Sequence, residues 1–85
     1  MATFFIKDVF KIVGIGVVSV GQVKSGVLRV GMKLNLDGRI MEIKIMESHN
    51  KKVSEAIEGD TVGISLTNAD YNILKNHRGD YVEFF

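Results

Sequence analysis

The stretch Lys44-Ile45-Met46-Glu47-Ser48-His49-Asn50-Lys51-Lys52 gathers one carboxylate, one imidazole, an amide, a hydroxyl and three ammonium groups within nine residues. Such a mixture suits contact with an anionic polymer. Lysines neutralise phosphates, while a carboxylate or amide makes directional bonds to sugars and bases. The plainer reading of the same residues is a solvated loop. Phe4, Phe5, Phe10, Phe84 and Phe85 could stack on bases, but core packing accounts better for most of them. The terminal pair Phe84-Phe85 is the one expected to be less buried and to mark a partner surface.

Other combinations carry less chemistry. His49 and His77 are far apart and have no ligand-spaced partner, so no metal site is expected. There is no cysteine, hence no disulfide or thiolate chemistry. Serine, histidine and aspartate all occur without a nucleophile-elbow context, and no enzymatic activity is expected. Gly14-Ile15-Gly16 lacks the third glycine of a dinucleotide fingerprint and runs into a strand pattern rather than a helix. Arg78-Gly79-Asp80 reads as a turn before a strand. No G-x-x-x-x-G-K-[ST] loop is present, so no cofactor and no GTP binding are expected of this chain alone.

The elements that must position these groups are strands. Glycine punctuates the chain, proline is absent, and the segments between are rich in valine, isoleucine and phenylalanine. Residues 3–13 read as a strand with Phe4, Ile6, Phe10 and Ile12 on its apolar face. Asp8 interrupts that face and marks a bulge or rim position. A turn at Gly14-Ile15-Gly16 leads to a strand over 17–24 and a turn at Ser25-Gly26. Residues 33–36 and 39–46 flank Asp37-Gly38, the signal for a type I′ hairpin. Met41, Ile43 and Ile45 then alternate with Glu42 and Lys44. Residues 48–60 read as a loop with a short helical turn, anchored by Val53, Ala56 and Ile57. In the strand over 61–67, Val62, Ile64 and Leu66 face inward, with Thr61, Gly63 and Ser65 outward. A mixed connection over 68–79 precedes a closing strand over 80–85. Many short strands and no strong amphipathic helix predict a small closed antiparallel barrel, all-β, of about six strands. Closure removes the edges that so small a sheet would expose.

Residues 1–85 are expected to form one domain. An apolar content of 46% suffices for a core and excludes disorder. A formal net charge of +1 argues against a general nucleic-acid glue but permits a local basic patch. No apolar run is long enough to span a bilayer, and the N-terminus shows no signal-peptide pattern. Cytoplasmic residence without membrane contact is the expectation.

Two ordered blocks carry a family resemblance. The segment from Gly14 to Met32, with Asp8-Val9-Phe10 before it, resembles the start of domain 2 of elongation factor 1-alpha and of its bacterial counterpart, elongation factor Tu. The segment Ser54-Glu55-Ala56-Ile57-Glu58-Gly59-Asp60-Thr61-Val62-Gly63-Ile64 is similar to that family's acidic loop and following strand. The archaeal and eukaryotic form is the closer of the two. The resemblance covers nearly the whole chain and implies a stand-alone domain 2 barrel, without the GTPase domain or third domain of the parent factors. It further implies a module that helps hold the aminoacyl end of tRNA, contacts the ribosome and docks protein partners, a translation factor among them. The acceptor-end site so implied comprises Asp8, Phe10, Glu47, His49, Asn50, Lys51, Lys52 and Thr61. Glu47 stands where the family places a carboxylate beside the terminal adenosine. Asn50, Thr61, Lys7 and Ser65 each replace a different family residue. The alternative is a protein-interaction module that keeps the barrel without binding RNA.

Overall fold

Burial along β1 (Ala2–Ile12) alternates through Ala2, Phe4 and Ile6, then slips by one residue. Its pairing with β2 (Gly16–Ser25) shifts register between Ile6 and Asp8, so Val9 takes the interior position. The bulge expected at Asp8 is present, but its consequence overturns the predicted face. Phe10 and Ile12 point outward, 46% and 41% exposed, because the extra residue inverts the alternation beyond it.

The computed structural model describes residues 1–85. After β2 come β3 (Leu28–Arg29), β4 (Lys33–Leu36), β5 (Arg39–Ser48), β6 (Lys51–Lys52), β7 (Glu55–Ala56), β8 (Thr61–Thr67), α1 (Tyr71–Asn76) and β9 (Tyr81–Phe84). Six strands pair antiparallel in the order β4-β9-β1-β2-β8-β5, and β5 returns to β4 to close the ring. This is the closed antiparallel barrel predicted. β6 hangs on the outer edge of β5, and β3 and β7 form a separate two-stranded ribbon.

The Asp37-Gly38 hairpin has the predicted geometry. Both residues have positive φ, 54° and 86°, as a type I′ turn demands, and the Gly38 N–H donates to Asn35 Oδ1 at 3.1 Å. A further register shift, between Ile43 and Ile45, moves Met46 inside and turns Ile45 out. The alternation predicted for Ile45 therefore fails for the same reason as that for Phe10. Val62, Ile64 and Leu66 are buried as expected. No helical turn occurs in residues 48–60. That stretch supplies β6 and β7, with Ala56 buried but Ile57 exposed. The connection over 68–79 contains α1, whose N-terminus is capped by Asp70 accepting from the Ile73 N–H at 3.0 Å. Leu74 of α1 is fully buried in the core.

Phe4 and Phe84 meet edge to face in that core at 6.0 Å, while Phe85 lies exposed beside its buried neighbour. Gly21 is what lets Phe4 sit there. A Cβ at position 21 would lie 1.9 Å from the Phe5 carbonyl oxygen and 2.7 Å from Phe4 Cζ. Ser19 is also buried, and its hydroxyl finds no hydrogen-bond partner.

Two stability outcomes follow. Gly21→Ala should destabilise by about 3 kcal/mol, since a backbone atom cannot yield as a side chain can. Ser19→Ala should stabilise by about 1 kcal/mol, by removing an unsatisfied buried hydroxyl. Urea unfolding of the two variants against the parent chain checks both. A neutral Gly21→Ala, or a destabilising Ser19→Ala, would contradict this packing.

Candidate nucleic-acid interface

The local pattern Glu47-Ser48-His49-Asn50-Lys51-Lys52 folds as a two-residue hairpin. His49 and Asn50 both adopt positive φ, 52° and 63°, a conformation asparagine tolerates better than most residues. The hairpin sets Glu47 opposite Lys52 and Ser48 opposite Lys51. Ser48 Oγ reaches the Thr61 carbonyl oxygen at 3.5 Å, which ties the hairpin to the start of β8. Glu47, His49, Asn50, Lys51, Lys52 and Thr61 are thereby brought to one end of the β5–β8 pair.

Asp8 and Phe10 stand apart from that group. Asp8 pairs with Val20, Val20 with Gly63, and Gly63 with Glu47. Three strand spacings separate the ends of this row, roughly 14 Å along the sheet. The Asp8 carboxylate is turned to other partners. It accepts from the Val9 N–H at 2.8 Å and lies 3.5 Å from Arg78 Nη1 and 3.8 Å from Lys75 Nζ. The Val9 N–H bond holds its carboxyl below the ordinary value of 3.8, with Arg78 and Lys75 adding to that and partial desolvation opposing it. Phe10 lies opposite Val18, which lies opposite Ser65.

Between these rows the outer wall opens into a cleft of about 290 Å³. Its apolar walls are Ile12, Ile15, Val18 and Ile45, its floor is Gly63 and Ser65, and Glu47 and Lys52 stand at its rim. A methyl group at Gly63 would meet Val18 Cγ1 at 3.6 Å, an ordinary contact. Glycine there is thus not forced by crowding, and what it does is leave the cleft deep. The Glu47 carboxylate and Lys52 ammonium face each other across the hairpin without closing an ion pair. Both are available to a ligand. Flat apolar walls with one acceptor and one cation at the rim suit a planar, polar-edged group.

The site residues named from the sequence did not include Ile12, Ile15, Val18, Ile45 or Gly63. Ile12 and Ile45 were assigned to the core, and only the two bulges turn them outward. The outward placement of Gly63 beside Ser65 was visible in the strand alternation and was the one available signal.

A closed six-stranded ring with this cleft on its outer wall defines a barrel of the translation-factor second-domain class. Residues 16–83 match the family described as Elongation factor Tu domain 2, and the chain belongs to that family. It is 43% identical over 77 residues to elongation factor 1-alpha of Desulfurococcus mucosus, covering 88% of this chain and 17% of that protein. With elongation factor 1-alpha of Saccharolobus solfataricus it shares 39% identity over 79 residues, covering 91% and 18%. The chain thus spans under a fifth of the length of these relatives. Among solved structures, translation elongation factor SelB from Methanococcus maripaludis superposes with a TM-score of 0.82 at 24% identity, over 95% of this chain and 17% of that one. The bacterial selenocysteine-specific elongation factor EF-Sec gives 0.76 at 24% identity, over 98% and 14%. These two likenesses establish the shared fold. No helix of the protein is long and apolar enough to cross a membrane.

The depressed Asp8 carboxyl makes a pH-dependent contribution to stability. It is fully present above the unfolded value near 3.8 and is lost as pH falls through the lower folded value. Asp8→Asn should therefore be less stable than the parent chain near neutrality, and the gap should close in strong acid. Carboxyl NMR titration with acid unfolding of both proteins checks this. A midpoint for Asp8 above 3.8 would contradict the geometry.

Proposed function

We propose that this chain is a non-enzymatic binding module that holds the 3′ end of an RNA of the translation machinery, with tRNA as its first candidate and the ribosome or a translation factor as further partners. The observation that carries this reading is the cleft. Its apolar walls Ile12, Val18 and Ile45 would enclose a base, and the unpaired Glu47 carboxylate would accept a bond from a sugar hydroxyl or base amine. Lys51 and Lys52, both exposed on the adjoining hairpin, would meet phosphate. His49, Asn50 and Thr61 would border the same end. Asp8 and Phe10 would sit along the far edge, where Phe10 offers an exposed ring. Membership of the elongation factor domain 2 family supports this role.

A second reading has its own observation. Phe10, Ile12, Val13 and Ile15 form an exposed apolar tip on the β1–β2 hairpin, with Val13 fully accessible. Such a tip suits a protein partner.

Fluorescence anisotropy with single-stranded and structured RNA over a salt series separates the two. Lys51→Ala with Lys52→Ala should weaken binding and flatten the salt dependence by up to about one unit per lost phosphate contact. Glu47→Ala should lower affinity with little change of slope, because it removes a directional contact rather than a cation. Equal affinity and slope in the parent chain and the double-lysine variant would overturn the RNA reading. Salt-insensitive binding of a protein, lost on Val13→Ser with Ile15→Ser, would establish the other.

A further inference from the structure

The tip of the β1–β2 hairpin and the cleft are neighbours on one face. Val13, in the turn, is fully accessible, and Ile12 and Ile15 beside it are 41% and 62% exposed. The same two isoleucines wall the cleft, together with Val18 and Ile45. Val13 takes no part in that lining. The turn is held by the Ile15 N–H, which donates to the Ile12 carbonyl oxygen at 3.0 Å. An apolar knob thus stands directly beside an apolar hole that it does not fill. A two-fold axis between copies needs this arrangement, since one patch must then serve as both donor and receiver. The rim adds one charge of each sign, Glu47 and Lys52. A copy turned by the two-fold can set acid against base, whereas a rim of one sign would repel its own copy. Phe10, Ile12, Val13 and Ile15 together expose roughly 400 Å² of surface, the size at which an apolar patch is commonly functional. Two such faces with their rims bury on the order of 1,000 Å², the lower end for a specific contact and the range of reversible ones.

We propose that the chain self-associates as a two-fold dimer in which Val13 of each copy enters the cleft of the other. The proposal rests on the protein-partner reading of the tip given above and names that partner as a second copy of this chain. Glu47 of one copy lies against Lys52 of its partner at the margin of the contact. Docked copies close both clefts, so an open cleft belongs to the monomer and association governs access to it. The modest area sets a Kd of roughly 10–100 μM, a concentration-dependent dimer rather than a permanent one.

Sedimentation equilibrium of the whole chain from about 1 μM to 1 mM tests this, with amide NMR spectra over the same range. The average mass should rise from that of one chain toward that of two. The amides of Val13 in the tip and of Gly63 and Ser65 in the cleft floor should shift together as it does. Val13→Ser, at a position that buries nothing in the single chain, should weaken association about tenfold. Glu47→Lys and Lys52→Glu should each weaken it about threefold, and the two combined should restore it, because the swap re-forms the pairs in reverse. A parent chain that stays monomeric at the highest concentration overturns the proposal. So does association that survives Val13→Ser, or concentration-dependent shifts confined to another face. If the parent chain is monomeric but a different protein binds it and is lost on Val13→Ser with Ile15→Ser, the second copy is refuted while the protein-partner reading stands.

Discussion

β4 carries the closure of the barrel on four residues. Along one edge it pairs in full register with β5, from Lys33 opposite Glu42 to Leu36 opposite Arg39. Along the other it meets β9 at Leu34 and Phe84, flanked by reciprocal backbone bonds between Lys33 and Phe85 at 2.7 and 2.8 Å. Every other strand of the ring depends on that short seam, for without it β4 and β9 become open edges and Leu34 and Phe84 lose their cover. His77 reinforces the same region. Its ring lies 3.0 Å from Asp80 before β9 and 3.4 Å from Asp37 in the β4–β5 turn. β9 also pairs with β1, residue 84 opposite residue 2, so the same strand that meets β4 joins the two ends of the chain.

The register shifts after Ile6 and after Ile43 do more than perturb alternation. In β1 the slip after Ile6 exchanges Phe10 for Val9 in the core and leaves Ile12 outside. In β5 the slip after Ile43 exchanges Ile45 for Met46. The residues expelled, Ile12 and Ile45, become opposing walls of the cleft. A barrel of regular strands would bury both. The site is therefore built by departures from regularity, each stabilised by an aliphatic side chain that enters the core in exchange.

What could be read from the sequence was local. The Asp37-Gly38 turn, the alternation of Val62, Ile64 and Leu66, and the nearness of Glu47 to Lys51 and Lys52 each rest on neighbours in the chain. The face of Phe10 does not. A bulge is a relation between two strands, and Asp8 signalled its presence without saying which residues would turn. α1 escaped notice because six residues give too little periodicity, although Asp70 three residues before Ile73 is a recognisable cap. In the site, the charged rim was visible from spacing alone. The apolar walls were not, because Ile12, Val18 and Ile45 come from three strands and look like core residues in each. The functional expectation came from the family resemblance of long ordered blocks and not from any single group.

The hairpin that carries Lys51 and Lys52 lies outside the closed ring. β6 bonds only to β5, whose ring partners are β4 and β8. Its four residues from His49 to Lys52 are exposed and bury no core side chain. Substitutions there need satisfy only the two positive φ angles of the turn. The chemistry at the rim of the cleft can accordingly be exchanged while the core stays as it is. Rim chemistry and thermodynamic stability rest on different residues, and so are free to diverge independently.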